Sequence, residues 1–304
     1  MALRIKRKEN VQKAARRIGR RLARKALKAL RECETLDAVH EVRKDIKQSR
    51  ALLRLMRCGL SGGSYGRLTK KLKKTAAALA PSRDAFVKTS ALEALVIHFK
   101  HDSPQPHFPA IKRALTDHCQ KHLETLPGDL KGSRRLLKQI ACEFKSTRAA
   151  GSGWKVIGPG IRKTYRDGRR AYQLAGQTGA AEDFHEWRKR AKDLLYQAGF
   201  ICRIWPEQMD ALKDDMKKLG DCLGDAHDLS VLTGRDTLGR RARQPKEETQ
   251  TLTTLADQRQ EELQAKALQL GAKLYDEKTK VFCKRLKQYW KRWRRGRRVL
   301  SALS

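Results

Sequence analysis

Residues 40–50 read HEVRKDIKQSR, and residues 185–192 read HEWRKRAK. Each copy opens on a histidine and a glutamate and continues as H-x-x-R-K-x-x-K, about half the chain apart. On an α-helix, with His40 at angle zero and roughly 100° between successive residues, Arg43, Lys44, Lys47, Arg50 and Arg54 all fall within about 60° of one direction. Val42, Ile46, Ser49, Leu53 and Met56 fall on the opposite side. The stretch therefore predicts an amphipathic helix with one apolar and one basic stripe, its start capped by Thr35 or Asp37. The second copy gives the same wheel. His185, Arg188, Lys189, Lys192 and Tyr196 share a face, while Trp187, Ala191, Leu194, Ala198 and Ile201 turn inward.

The match extends beyond these phrases. With an offset of about 145 positions, Arg17, Arg21, Arg24 and Lys25 align with Arg162, Arg166, Arg169 and Arg170. With one residue removed, Lys73 and Lys74 align with Lys217 and Lys218, and Leu79, Asp84 and Val87 with Leu223, Asp228 and Val231. One register held over three successive segments predicts two homologous helical halves, residues 1–148 and 149–304. Helical periodicity runs through nearly every long segment, and no alternating strand pattern is present, so the fold class expected is all-α. Breakers cluster at 59–66, 101–109, 127–133, 149–160 and 233–245, which predicts helices of roughly 15–25 residues between them.

A basic helix face is ordinarily a solvated face. This one is expected to be more, because its arc reads as free of acids and because like charges three and four residues apart disfavour a helix. Duplication of such a cost in register points to use. The whole chain agrees: 69 Lys+Arg against 33 Asp+Glu give a formal net charge of +36 over 304 residues. That excess repels itself unless a polyanion neutralises it. The partner classes are nucleic acid, an anionic membrane surface or a phosphate polymer. No run of apolar residues is long enough for a membrane span, and the Arg-rich start lacks the apolar core of a secretory signal. That start is read as part of the fold. Seven scattered cysteines without a C-x-x-C fit a reducing cytoplasm. Rows of Arg and Lys roughly 5–6 Å apart can follow a polymer charged every few ångströms, Arg offering a planar fork and Lys a mobile point charge. Candidate binding residues are the two basic arcs, with Arg17, Arg21, Arg24, Arg162, Arg166, Arg169, Lys73, Lys74 and Lys217 as flanking banks.

The phrase H-x-x-R-K-x-x-K, YRDGRR (165–170), SRDAFV (82–87), AHDLSVL (226–232) and EKTKVFCKRLKQYW (277–290) together resemble the CHAD domain family over nearly the whole chain. The resemblance implies two four-helix bundles around a pseudo-twofold, binding of inorganic polyphosphate and association with polyphosphate granules. Carried over by position, it assigns binding to His40, Arg43, Lys44, Lys47, Arg50, His185, Arg188, Lys189 and Lys192. Leu194 and Leu195 stand where more basic residues are usual, so equal use of the two halves is not implied.

Other constellations carry less. Asp84 and Asp228 are expected to orient cations or cap helices, since no second carboxylate accompanies either in a metal-binding pattern. His118 and His122 have metal-ligand spacing, but no counterpart in the second half. GLSGGSYG lacks the Lys-Ser/Thr of a phosphate-binding loop, and no Ser/His/Asp arrangement is legible. A binding protein without cofactor or metal is therefore expected, not an enzyme. Two rivals make different predictions. A non-specific nucleic-acid binder needs stacking groups on the basic faces, where Tyr196 is the main candidate. An enzyme acting on phosphate polymers would release orthophosphate with a divalent metal. The basic tail 291–298 (KRWRRGRR) is compatible with a nucleic-acid arm, and the spacing of Trp290 and Trp293 with helix packing.

Overall fold

The apolar stripes read from the sequence become helix interfaces in a computed structural model of the protein, which describes residues 3–32, 35–60, 63–101, 106–234 and 245–296. Ten α-helices and a short 3-10 turn make up the described elements: α1 (Val11–Glu32), α2 (Leu36–Leu55), α3 (Ser64–Ala78), α4 (Ala80–His98), α5 (Pro109–Ser146), α6 (Trp154–Thr178), α7 (Ala181–Ile201), the 3-10 turn (Cys202–Ile204), α8 (Pro206–Thr233), α9 (Lys246–Leu274) and α10 (Thr279–Arg294). Among the described residues there is no strand, only an isolated bridge between Leu60 and Ala149. Cys33 and the end of the basic tail, Arg297 and Arg298, lie outside the described residues.

The wheels drawn for α2 and α7 hold. Val42, Ile46, Ser49, Leu53 and Met56 are buried, as are Trp187, Ala191, Leu194, Ala198 and Ile201. Thr35 supplies the cap of α2, its side chain accepting from the Ala38 amide at 3.3 Å. The opening segment belongs to the fold: Ile5 is buried and its amide donates to the Phe200 carbonyl at 2.8 Å. One expected break is absent. Residues 127–133 continue the helix, so α5 runs for 38 residues. Leu130, Ser133, Leu137, Ile140 and Phe144 form a buried stripe along it, and packing of that stripe outweighs the local Pro and Gly propensities. α8 and α9, at 28 and 29 residues, also exceed the expected length.

α1 packs on α2 and α5, with α3 and α4 against α5; α7 packs on α6 and α8, α9 on α8, and α10 on α6. The first group meets the second where α2 lies along α7 and α6, and α4 along α8. Two details hold that junction. A Cβ on Gly160 of α6 would stand 2.1 Å from the Leu55 carbonyl oxygen of α2, so only glycine permits this approach. Gln197 of α7 is fully buried and donates to Thr164 Oγ1 of α6 at 2.9 Å and to the Ala51 carbonyl of α2 at 3.3 Å. The basic stripes of α2 and α7 consequently border the same space.

Candidate anion-binding cleft

That space is a cleft of about 430 Å³. α2 contributes Arg43, Lys47, Arg50 and Arg54, and α7 contributes His185, Arg188, Lys189, Lys192 and Tyr196. Lys73 comes from α3, Arg83 from α4 and His227 from α8. Residues assigned from sequence to two separate faces thus meet in one site.

Its charge is unevenly matched. Glu186 holds Lys189 at 3.3 Å and also pairs with Arg190. Asp193 holds Arg54 at 2.7 Å, and Lys192 reaches Asp221 at 3.3 Å. Lys44 pairs with Glu41 at 3.1 Å. The expectation of an acid-free arc is therefore corrected: the glutamate that follows each histidine bonds the lysine one turn ahead. A different subset is left over. Among the described residues no carboxylate pairs with Arg43, Lys47, Arg50 or Arg188. The buried Nε atoms of the three arginines have no hydrogen-bond partner, although Arg43 Nη1 donates to the Ala76 carbonyl at 2.7 Å. Burying a guanidinium without a partner is costly.

The electrostatics record that cost. Burial, followed by the charges of Arg188, Arg83, Arg43 and Lys192, brings the Lys47 ammonium down to about 7. Burial, with Arg188 and the neighbouring His185, brings His227 down to about 3. His185 is lowered by burial and then by Lys189 and Arg188. The Nδ1 atoms of His185 and His227 lie 3.0 Å apart, a contact that requires one ring to donate and the other to accept. Burial pushes the Tyr196 hydroxyl up to about 12. Arg83 donates to Asp84 at 3.0 Å and to Asp228 at 2.8 Å, the two aspartates aligned by the sequence register, so both orient one cation as expected. Arg43, Lys47, Arg50 and Arg188 thus face a space whose two carboxylates, Glu186 and Asp193, are engaged by other cations.

Other candidates lie elsewhere. His40 is exposed and lines a neighbouring groove with Phe86, Val87, Asp225 and Arg259. Arg17 is clamped by Glu9 at 2.7 Å. Arg21 and Arg24 line a shallow strip on α1 formed by Lys and Arg side chains alone. Arg169 donates to the Tyr275 carbonyl at 2.9 Å, and Arg166 approaches Asp167 at 3.4 Å. Arg162, Lys74 and Lys217 are exposed and do not line the cleft. Arg83 and His227 went unassigned in the sequence, although SRDAFV and AHDLSVL contain them. Their position beside the aligned aspartates was the available signal. His118 and His122 stack edge to face at 4.6 Å, and no group of three or more metal-ligating side chains occurs among the described residues.

The family model of the CHAD domain matches residues 13–236, most of the chain. The chain belongs to the CHAD domain family. The fold of this CHAD domain protein is similar to the crystal structure of the CHAD domain from the plant Ricinus communis. That likeness has a TM-score of 0.66 and 16% identity, covering 92% of this chain and 96% of that one. It is also similar to PptA from Streptomyces chartreusis, with a TM-score of 0.62 and 16% identity over 85% of this chain and 96% of the other. No curated protein matches the chain. No described helix of this CHAD domain protein is long and apolar enough to cross a membrane.

Proposed function

We propose that this CHAD domain protein binds inorganic polyphosphate in the cleft between α2 and α7, without turnover, and that this binding underlies association with polyphosphate granules. The observation that carries the reading is the convergence of Arg43, Lys47, Arg50 and Arg188, four cations with no carboxylate among the described residues. Phosphate oxygens are acceptors that guanidinium forks bind in charge-assisted pairs. A linear phosphate polymer brings many of them with no base to accommodate. Tyr196 is the one phenol on the lining and no indole joins it, which supports a bare phosphate chain over stacked bases. The two-half organisation, 1–148 and 149–304 around a pseudo-twofold, belongs to the same proposal. It is supported by the aligned aspartates sharing Arg83 and by the two aligned stripes meeting across one cleft.

Titration of long-chain polyphosphate, duplex DNA and single-stranded RNA at physiological salt tests this, with phosphate release assayed alongside. The expected order places polyphosphate tightest, with log K falling linearly in log salt as counterions are released and no orthophosphate produced. Tighter binding of either nucleic acid, or phosphate release with a divalent metal, would support the rival readings. The same titration has a pH signature. A bound anion favours the charged form of Lys47 and so raises its pKa above the value near 7 of the free protein. Complex formation takes up a proton between those two values, and affinity falls as pH rises from 7 to 9. His227, held near 3 in the free protein, is neutral throughout that window.

A further inference from the structure

Lys47 differs from the other lysines of its helix and its neighbour. Lys44, Lys189 and Lys192 hold Glu41, Glu186 and Asp221. Lys47 holds no acid and makes no hydrogen bond among the described residues. Arg43 faces it from α2, Arg83 from α4, and Arg188 and Lys192 from α7. Lys73 of α3 and the imidazoles of His185 and His227 border the same space. The two carboxylates on the lining, Glu186 and Asp193, are engaged by Arg190 and Arg54. The amine therefore stands in a site whose other groups attract small anions and offer it no counter-charge. Crowding of this kind is how a lysine becomes a nucleophile: desolvation and adjacent cations favour the free amine. Burial and the four neighbours hold Lys47 near 7, so a large share of it carries a lone pair at physiological pH.

We propose that Lys47 is a self-acylation site whose substrates are acyl phosphates, the phosphate seated by the unpaired guanidinium groups and the acyl carbon presented to Nζ. The Nζ lone pair attacks the carbonyl carbon and a C–N bond forms. The C–O bond to phosphorus-bound oxygen breaks, and inorganic phosphate leaves with that electron pair. The proton lost by nitrogen passes to the departing phosphate or to solvent. Nothing is oxidised or reduced. The product is a neutral amide that can no longer take up a proton when a polyanion binds, so acylation lowers the affinity of the cleft for polyanions. The inference rests on the cleft being a phosphate site.

The test exposes the full chain to acetyl phosphate at pH 7.5 and measures acetyl occupancy of Lys47 and Lys44 by peptide mass spectrometry. Polyphosphate binding of the same preparation is titrated in parallel. Burial and four cationic neighbours leave Lys47 richer in free base than an ordinary exposed lysine, an advantage that the seated phosphate partly offsets by favouring the ammonium. Part of that gain is lost because a weaker base is a poorer nucleophile. Lys47 is expected to be labelled at least ~10-fold faster than Lys44, saturating polyphosphate to suppress the labelling, and the labelled protein to bind polyphosphate more weakly. Uncharged acetic anhydride is expected to show a smaller preference, because it gains nothing from the cations. Protein that binds polyphosphate yet labels Lys47 no faster than Lys44 overturns the proposal. Selective labelling of Lys47 that inorganic phosphate suppresses, in protein that ignores polyphosphate, upholds it and removes the polymer reading instead.

Discussion

Replacing Arg43, Lys47 and Arg188 together by glutamate is expected to lower affinity for long-chain polyphosphate by more than ~10³-fold at physiological salt, each lost charge-assisted hydrogen bond being worth about 1.5–3 kcal/mol. The substitution also sets three anions where phosphates would lie. Folding is expected to survive, because glutamates introduced there meet Arg50 and Arg83 and relieve an existing crowd of cations. Far-ultraviolet circular dichroism and the melting temperature check that part. Lys44→Glu is the contrast. Lys44 lies outside the cleft, exposed and already paired with Glu41, and a surface ion pair contributes only about 0–1 kcal/mol. Its loss is expected to change affinity by less than about fivefold. A triple variant that binds like the parent would move the site away from the cleft, with the α1 strip of Arg21 and Arg24 as the next place to look.

The second large effect is on stability. Trp187 is fully buried within the repeated phrase itself, one residue before Arg188. Its ring lies 5.2 Å from that of Tyr172 on α6 and 6.5 Å from that of Tyr275 beyond α9, measured between centroids. A Cβ on Gly271 of α9 would come within 2.6 Å of it. The indole therefore joins three elements, and Trp187→Ala is expected to cost about 3–5 kcal/mol. Scanning calorimetry should show the melting temperature falling by roughly 10 °C, at about 2–4 °C for each kcal/mol. A melting temperature within 2–3 °C of the parent, on that same scale, would mean that this cluster does not anchor α7.

Much of this was readable in the residues, for a physical reason. Val42, Ile46 and Leu53, like Trp187, Leu194 and Ile201, recur at helical spacing, and burial of such a stripe decides both the element and its inward side. The cleft was half readable. Each basic stripe is a property of one helix, whereas their meeting depends on the close approach at Gly160 and on the bond from Gln197 to Ala51. Neither is a pattern along the chain. Arg83 and His227 enter from helices whose own periodicity says nothing of a cleft. The partition of charges was misjudged because side-chain reach matters as much as wheel angle. Glu41 and Glu186 reach Lys44 and Lys189 at i,i+3, a spacing that pairs readily on a helix, while Lys47, one turn further on, has no such acid. At 127–133 the local breakers were real, and the buried stripe from Leu130 to Phe144 outweighed them.

The most direct measurement locates phosphorus: a crystal structure of the full chain with a short, defined polyphosphate at physiological pH. The account predicts phosphate oxygens between α2 and α7, within about 3 Å of guanidinium nitrogens of Arg43, Arg50 and Arg188, with Lys47 Nζ bonded to the chain. Phosphates ordered along α1, with no phosphate oxygen on those three guanidinium groups, would contradict it.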